Sequence, residues 1–573
     1  MNMSVCKTPI RDKCVKYSFR FNGLASLIFL SLQAASLAHA AEVPVGVKLA
    51  ATQELVRANG YEPATLDPNL AESNVEFNIF NDLFEGLLRV GKNGEVIPAL
   101  ATQWENQGNV WTFHLRPEAK WSNGDPVTAE DFVFSWRRLT DPKTASPYGS
   151  YLASAYVLNA AEINAGSKPP AELGVKALDA NTLQVTLSEP NSYLLKQLVH
   201  FPVLPVNRKA VEKYGKNWTQ PQNFVSNGAF RLTQWVVNEK VVVERNTQYW
   251  DNAHTALNKV TFLPLQGFPE VARFRAGEIE LGYSTPPELY QQLKKSLGEE
   301  QLVTYPLLST SYFAFNTRQA PFNDVRVRQA LNLALDKEVI ATKVLGYGQQ
   351  PAWTFTPSGA GGFTLKAGEA AGWSQEQRIA QAKKLLAEAG FNAERPLQFN
   401  LLYSNDATIK KIVIASSAMW KKNLGVNATL QSQERKVTLD NINNGHYSVA
   451  FSRWLADYND PSTFLNVFRS TSSENSAKYA NENYDRLLHQ ATAAKTPQQV
   501  QHYFQQAEDR LAVDTPVAPV YYEANATLVK PYVKGIDFTR QGPLYDKNAY
   551  IIAHWRRNNR GGIFLPPFYY LYG

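Results

Sequence analysis

An α/β architecture is predicted by two observations. Short runs of alternating apolar residues bounded by turn signals read as strands, and longer stretches whose apolar residues recur every three or four positions read as helices. Both kinds are spread through the chain. Thr112 to Leu115 is a β-type run, Ser122-Asn-Gly-Asp125 is a turn, and Thr128 caps a helix with Asp131 in its first turn, where an acid faces unpaired N–H groups. Thr182 to Leu187 alternates as a strand, while Arg231 to Val237 and Lys240 to Glu244, joined through Asn238-Glu239, form a predicted β-hairpin. Ser374 with Gln377 is a capping box, Ile379, Ala382, Leu385 and Leu386 give that helix an apolar face, and Gly390 ends it. Thr496, Pro497 and Gln499 open a further helix with the stripe Val500, Tyr503, Phe504, Ala507 and Leu511. Such stripes are core, not cofactor boxes.

The 573 residues are 44% hydrophobic and 12% aromatic with mean hydropathy -0.32, the balance of a soluble chain long enough for several cores. Residues 1–40 read as a cleaved secretory signal. Lys7, Arg11, Lys13, Lys16 and Arg20 precede a mostly apolar run from Leu24 to Leu37, and Ala38-His39-Ala40 is a small-x-small site before Ala41. The competing reading, an uncleaved anchor, fails on length: a spanning helix needs roughly 20 apolar residues, and this run is shorter and holds Ser31 and Gln33. Both cysteines, Cys6 and Cys14, fall in the leader, so the mature chain is expected to carry no disulfide, no cysteine metal ligand and no lipid-bearing cysteine. A soluble periplasmic protein follows. Its formal charge drops from +7 to about +3 once the leader's five basic residues and Asp12 are gone, and three of the remaining cations, Arg556, Arg557 and Arg560, sit in the final tail. No broad cationic surface for nucleic acid is expected.

Motifs for catalysis are absent. There is no Gly-x-x-x-x-Gly-Lys-Ser/Thr loop, no His-Glu-x-x-His and no Gly-x-Ser-x-Gly elbow. The histidines from His114 to His554 lack ligand spacing, and Asp457-Tyr458-Asn459-Asp460 lacks the glycine and closing glutamate of a calcium loop. The reading is therefore a non-enzyme without metal or cofactor.

The run from Trp111 to Trp136, with Asn81-Asp-Leu-Phe-Glu-Gly86, Ala145-Ser-Pro-Tyr-Gly-Ser-Tyr151, Pro321-Phe-Asn-Asp-Val-Arg-Val-Arg328 and Trp420-Lys-Lys-Asn-Leu-Gly-Val426, resembles the large extracytoplasmic solute-binding proteins of family 5, which feed peptide ABC importers. The resemblance spans about Glu42 to His554 and is strongest to periplasmic oligopeptide-binding and murein-peptide-binding proteins. Ala314-Phe-Asn-Thr317 and Pro351-Ala-Trp-Thr-Phe-Thr-Pro357 look more like the murein-peptide branch.

What the resemblance implies is a periplasmic binding protein-like fold (type II, large cluster): two lobes with a hinge, built from three discontinuous domains. Domain I would combine 41–84, 209–308 and 526–554, domain II would be 85–208, and domain III 309–525, with 555–573 an atypical tail. A monomer is implied that holds short peptides, murein peptides among them, between its lobes and delivers them to an inner-membrane permease with cytoplasmic ATPases. Alternatives on the same scaffold are a murein tripeptide-specific receptor, a nickel, haem or glutathione receptor, and a periplasmic peptidase or chaperone-like protein. Asp457 falls where the family's aspartate receives the peptide α-ammonium, a charge-assisted contact worth roughly 1.5–3 kcal/mol. Without the motif around it, Asp457 near Pro461 would read as a turn carboxylate. Arg453, Trp454 and Leu455 align with one backbone strand flanking the peptide and Glu72, Ser73 and Asn74 with the other, while Tyr148 and Tyr312 match cleft aromatics. Departures are as informative. Positions aligned with the family's carboxylate-binding residues hold Ile442, Asn443 and Phe451, a pocket tryptophan becomes Arg435, an acidic cleft residue becomes Ala314 and a cleft tyrosine becomes Glu523. Arg435 and Arg453 are the candidate replacements for the carboxylate partner, because guanidinium binds carboxylates bidentately.

Overall fold

The computed structural model describes residues 43–553 apart from Asn93 and Pro543; the leader, both cysteines and the tail lie outside the described residues. Three larger sheets organise the chain. In the first, Glu54–Ala58 runs parallel to Lys259–Leu263, and the hairpin Phe230–Val236/Lys240–Arg245 completes four strands. The hairpin is the predicted one, turned at Asn238 with φ 60°, a conformation asparagine tolerates. The second sheet joins Ala101–Gln107, Val110–Leu115, Thr182–Thr186 and Val175–Asp179, all antiparallel. Against it packs the helix Ala129–Thr140, which buries Phe132, Val133, Trp136 and Leu139; the Thr128 N–H donates to Asp131 Oδ2 at 2.8 Å, as the capping sequence requires.

The third sheet has six strands in the order Gln350–Pro351, Val517–Leu528, Leu302–Phe315, Val449–Leu455, Gln398–Ser404, Asn427–Gln433. Its two longest members, Leu302–Phe315 and Val517–Leu528, pair antiparallel from Leu302↔Leu528 to Ala314↔Val517. Between Pro306↔Ala524 and Thr310↔Tyr522 the register slips, so Leu307, Leu308 and Ser309 oppose Glu523 alone. Pro306, which has no N–H to give the ladder, stands at this bulge. Beneath the sheet Phe313, Phe399 and Phe451 pack with Trp420, whose indole N–H reaches Leu331 O at 2.9 Å. The predicted helices appear as Gln375–Glu388, with its Ser374/Gln377 capping box, and Pro497–Asp514, capped by Thr496. Tyr503, Ile379 and Leu385 are only half-buried within the predicted stripes.

Candidate functional site: a cleft ending at Asp457

The strand Val449–Leu455 positions the site. One edge pairs with Leu302–Phe315 along its length, through Leu455↔Ser309, Trp454↔Thr310 and Arg453↔Ser311. Its other edge pairs with Gln398–Ser404 only at Leu401↔Val449 and Leu402↔Ala450. Phe451 to Leu455 therefore presents an open row of backbone donors and acceptors to the cleft, the geometry to which an extended chain adds as another strand. Opposite it, Glu72 and Ser73 precede the helix Asn74–Leu83, and Ser73 is extended (φ -140°, ψ 164°). This corrects the expectation of a second flanking strand through Asn74: Asn74 is already the first helical residue, because Ser73 is the cap and its hydroxyl bonds Glu76.

Ten of the eleven sequence-predicted residues line one cavity of about 140 Å³: Glu72, Ser73, Asn74, Tyr148, Tyr312, Arg435, Arg453, Trp454, Leu455 and Asp457. Glu523 does not. It lines an adjoining cavity of about 290 Å³, together with Arg435, Arg453, Ile442 and Phe451. Tyr312 is a fixed wall, 1% exposed with its hydroxyl 2.9 Å from Ser476 Oγ. Ala314 is fully buried in the sheet, so that departure touches the core and not the cleft.

Asp457 follows the strand end, and its N–H is held by Thr463 Oγ1 at 3.0 Å. The Tyr148 hydroxyl donates to its Oδ1 at 3.3 Å, and His200 Nε2 lies 3.3 Å from the same oxygen. The turn-carboxylate role belongs to Asp460, whose Oδ1 accepts from the Ser462 N–H at 3.0 Å and whose Oδ2 pairs with Lys196 at 2.8 Å. Burial, then the nearby Glu474 carboxyl, pushes the Asp457 carboxyl well above its ordinary range, against the hydrogen bonds from Tyr148 and Thr463. Burial also drives the His200 imidazole well below its usual value, so it stands beside Asp457 as a neutral ring and not as an ion-pair partner. A cation set against Asp457 would relieve its desolvation and its repulsion by Glu474 together. Glu474 is itself pushed up to about 8, by burial and then by Glu72.

The opposite charge stands further along. Arg435 opens the helix Arg435–Asn444, and Arg453 projects from the open strand; neither has an ion-pair partner within contact range among the described residues. Burial lowers the Arg453 guanidinium, but Glu523 and the phenols of Tyr283, Tyr521 and Tyr61 outweigh it and its pKa is raised, so it stays charged. Glu523 accepts from Ser311 Oγ at 2.5 Å. The cleft thus gathers carboxyl groups at the Asp457 end, which a ligand cation would ionise, and guanidinium groups at Arg435 and Arg453, an arrangement suited to a zwitterionic chain.

Sequence reasoning missed His200 and Glu474. His200 is 2% exposed, caged by Phe77, Tyr148, Tyr151 and Phe201 at ring centroid distances of 5.5, 5.1, 5.4 and 4.4 Å. Glu474 sits in the polar loop Ser472-Ser-Glu-Asn475, which reads as solvated surface. The burial of His200 and the partial enclosure of Glu474 arise from contact between distant segments, visible also in Ser150 Oγ to Ser473 Oγ at 2.8 Å and Tyr193 Oη to Thr492 Oγ1 at 2.7 Å.

Comparison with known proteins accounts for this geometry. Residues 95–476 match the model of bacterial extracellular solute-binding proteins, family 5. The periplasmic oligopeptide-binding protein OppA of Salmonella typhimurium is 50% identical over 93% of this chain and 98% of its own. Among solved structures, the murein tripeptide-binding protein MppA of Escherichia coli superposes with TM-score 0.85 at 44% identity, over 88% of this chain and 100% of that one. Haemophilus influenzae OppA in complex with the peptide RPPGFSPFR gives 0.84 at 42% identity, with the same coverage. An unliganded open form of MppA gives only 0.68 at 44% identity, over 89% of this chain and 99% of that one, so the arrangement seen here is nearer the peptide complex than the open form. The fold is the periplasmic binding protein-like α/β fold, and the chain belongs to the bacterial extracellular solute-binding proteins, family 5.

Proposed function

We propose that this protein is a periplasmic receptor that binds short peptides in its cleft and delivers them to an ABC importer in the inner membrane. The observation that carries the reading is Asp457: a carboxyl only 11% exposed at one end of a cleft, beside an open strand edge, with no protein cation against it. The α-ammonium seats on Asp457, the peptide backbone pairs along Phe451 to Leu455, and side chains alternate toward Trp454 on one side and Arg453 and Leu455 on the other. Arg435 and Arg453 receive the carboxylate end. Pairing through backbone is indifferent to side chain, which suits a receptor for many sequences.

Domains I (41–84, 209–308, 526–554), II (85–208) and III (309–525) are supported by the sheets: the first two fall wholly within domains I and II. Both proposed crossings into domain III, at 308/309 and 525/526, lie close to the bulge of the third sheet, the natural place for a hinge. Closure presents the two lobes to a permease that works with cytoplasmic ATPases. The relatives' periplasmic location, the basic-then-apolar leader and Ala38-His39-Ala40 support secretion into the periplasm. The stretches likened to the murein branch, 314–317 and 351–357, line neither cleft cavity, so they carry no argument about cargo.

Titration calorimetry with trialanine and N-acetyl-trialanine tests the reading. Acetylation is expected to weaken binding at least about tenfold, as loss of a charge-assisted hydrogen bond does. Mass spectrometry of the recovered peptide is expected to find it intact; progressive cleavage would point to a peptidase, and equal affinities would remove the ammonium from the account.

A further inference from the structure

A cavity of about 240 Å³ opens between the helices Val325–Leu333, Gln375–Glu388 and Pro497–Asp514 and the start of the strand Val517–Leu528. None of its lining residues lines either cleft cavity, so it is a separate place in the fold. Its size falls below the roughly 300–1,000 Å³ of pockets for drug-sized ligands, yet an apolar cavity of about 150 Å³ already takes up benzene. It suits a molecule of one or two small rings. Its walls are Trp353, Phe355 and Trp373 with the aliphatic Leu333, Leu511 and Val517. Phe355 is 1% exposed and fixed, its carbonyl accepting from Thr310 Oγ1 at 2.7 Å and its ring centroid 4.7 Å from that of Phe468. Arg378 ties down the segment 370–373, donating to Ala370 O at 3.2 Å and Trp373 O at 2.5 Å, with its guanidinium 4.5 Å from the Trp353 ring centroid. At the rim, Gly368 and Ala512 are exposed, and a Cβ on Gly368 would stand 4.0 Å from that of Ala512.

The polar groups in these walls are committed to the protein with one exception that matters. Glu508 accepts from the Phe355 N–H through one oxygen and from the Thr356 N–H at 3.2 Å through the other. Gln329 Nε2 donates to Val513 O at 2.7 Å, and Thr515 Oγ1 to Ala512 O at 2.8 Å. No cationic side chain is among the lining residues, and the two beside Trp353 serve backbone carbonyls, Lys337 that of Ala352 at 3.0 Å and Arg378 those of Ala370 and Trp373. Asn332 Oδ1 is the exception: among the lining polar atoms it is the one that is buried without a hydrogen-bond partner among the described residues. A buried acceptor left unmet is unfavourable, and a ligand that brings a donor gains what the protein lacks there. Apolar walls with one convergent polar atom are the makings of a small-molecule site.

We infer that this cavity is a second binding site, which takes an uncharged aromatic molecule of one or two rings with a single N–H or O–H donor, accepted by Asn332 Oδ1. Indole is the probe, titrated calorimetrically into the mature full-length protein beside 1-methylindole, which lacks the donor, and tryptamine, which adds a cation. Indole is expected to bind at one saturable site with a dissociation constant below about 1 mM, about fivefold tighter than 1-methylindole and at least as tightly as tryptamine. Saturating the protein with trialanine is expected to leave this binding unchanged. Asn332→Leu is expected to equalise indole and 1-methylindole. Ala512→Trp, which sets a large ring at the rim, is expected to weaken indole at least about tenfold while trialanine binds as before. Absence of saturable binding, displacement of indole by trialanine, tighter binding of tryptamine, or full indole affinity in Ala512→Trp would overturn the site. Equal affinities for indole and 1-methylindole in the native protein would overturn the contact with Asn332, and that comparison decides even if neither variant folds.

Discussion

Asp457 and Asp460 are three residues apart and have opposite duties. Asp460 is spent on a turn and on Lys196, whereas Asp457 is largely enclosed with neutral donors around it and is free to ionise against a ligand cation. Asp457→Asn is expected to weaken a peptide with a free N-terminus about tenfold to hundredfold and to erase its advantage over the acetylated form, read by calorimetry. Binding also depends on pH. Because the Asp457 pKa is raised, a proton competes with the ammonium, and affinity is expected to climb as pH rises through the Asp457 titration. It should fall again above roughly 8, where an α-amino group loses its own proton. Calorimetry from pH 4 to 9 checks this profile, and a flat one would argue against a carboxylate–ammonium contact. Asp457 was legible because Arg453-Trp-Leu-Ala-Asp457 is a local motif. His200 and Glu474 were not, since their environment is made by segments far apart in the chain.

At the scale of elements, locally encoded features emerged where the sequence placed them. The hairpin around Asn238 and the capped helices after Thr128, Ser374 and Thr496 each carry their own turn or cap chemistry. The strands Leu302–Phe315 and Val517–Leu528 escaped, because Pro306 and Pro519 interrupt them and nearly every residue from Leu308 to Phe315 is buried, which hides the alternation of a half-exposed strand. Closure depends on contacts between elements. Lys196 Nζ reaches Asp460, which is only 3% exposed, and Lys196→Met leaves that carboxylate without its cation. The variant is expected to lose peptide affinity about tenfold, mainly through faster dissociation seen in stopped-flow. Trp420→Ala acts elsewhere: it empties the core beneath the six-stranded sheet and removes a bond to Leu331, at a cost of about 3–5 kcal/mol in urea unfolding.

For the whole molecule, buried ionisable groups set how stability varies with pH. Glu270, bonded only by the N–H groups of Tyr283 and Ser284, is pushed up to about 8 by burial, and Glu508, bonded by Phe355 and Thr356, to about 7. The folded state keeps protons that the unfolded chain releases near 4.3, so the stability they confer is full below that pH and is lost as pH rises toward 7–8. Lys337, lowered to about 7 by burial, titrates differently from the unfolded chain only above that value; His200 opposes the trend below 6.5, and carboxyls lowered by their partners, Asp251 and Asp514 among them, oppose it only at more acid pH, near and below about 4. The unfolding midpoint is therefore expected to fall between pH 5 and 7, with a shallower slope in Glu270→Gln, as thermal melts would record. In the proposed account, peptide binding acts on the same whole through closure at the bulge that Pro306 and Glu523 share. A crystal structure of the protein with trialanine tests the central claim most directly. The expected result is an α-ammonium about 2.7–2.9 Å from an Asp457 oxygen, with the peptide backbone paired along Arg453 to Leu455. A peptide anchored elsewhere, with Asp457 turned to solvent, would contradict it.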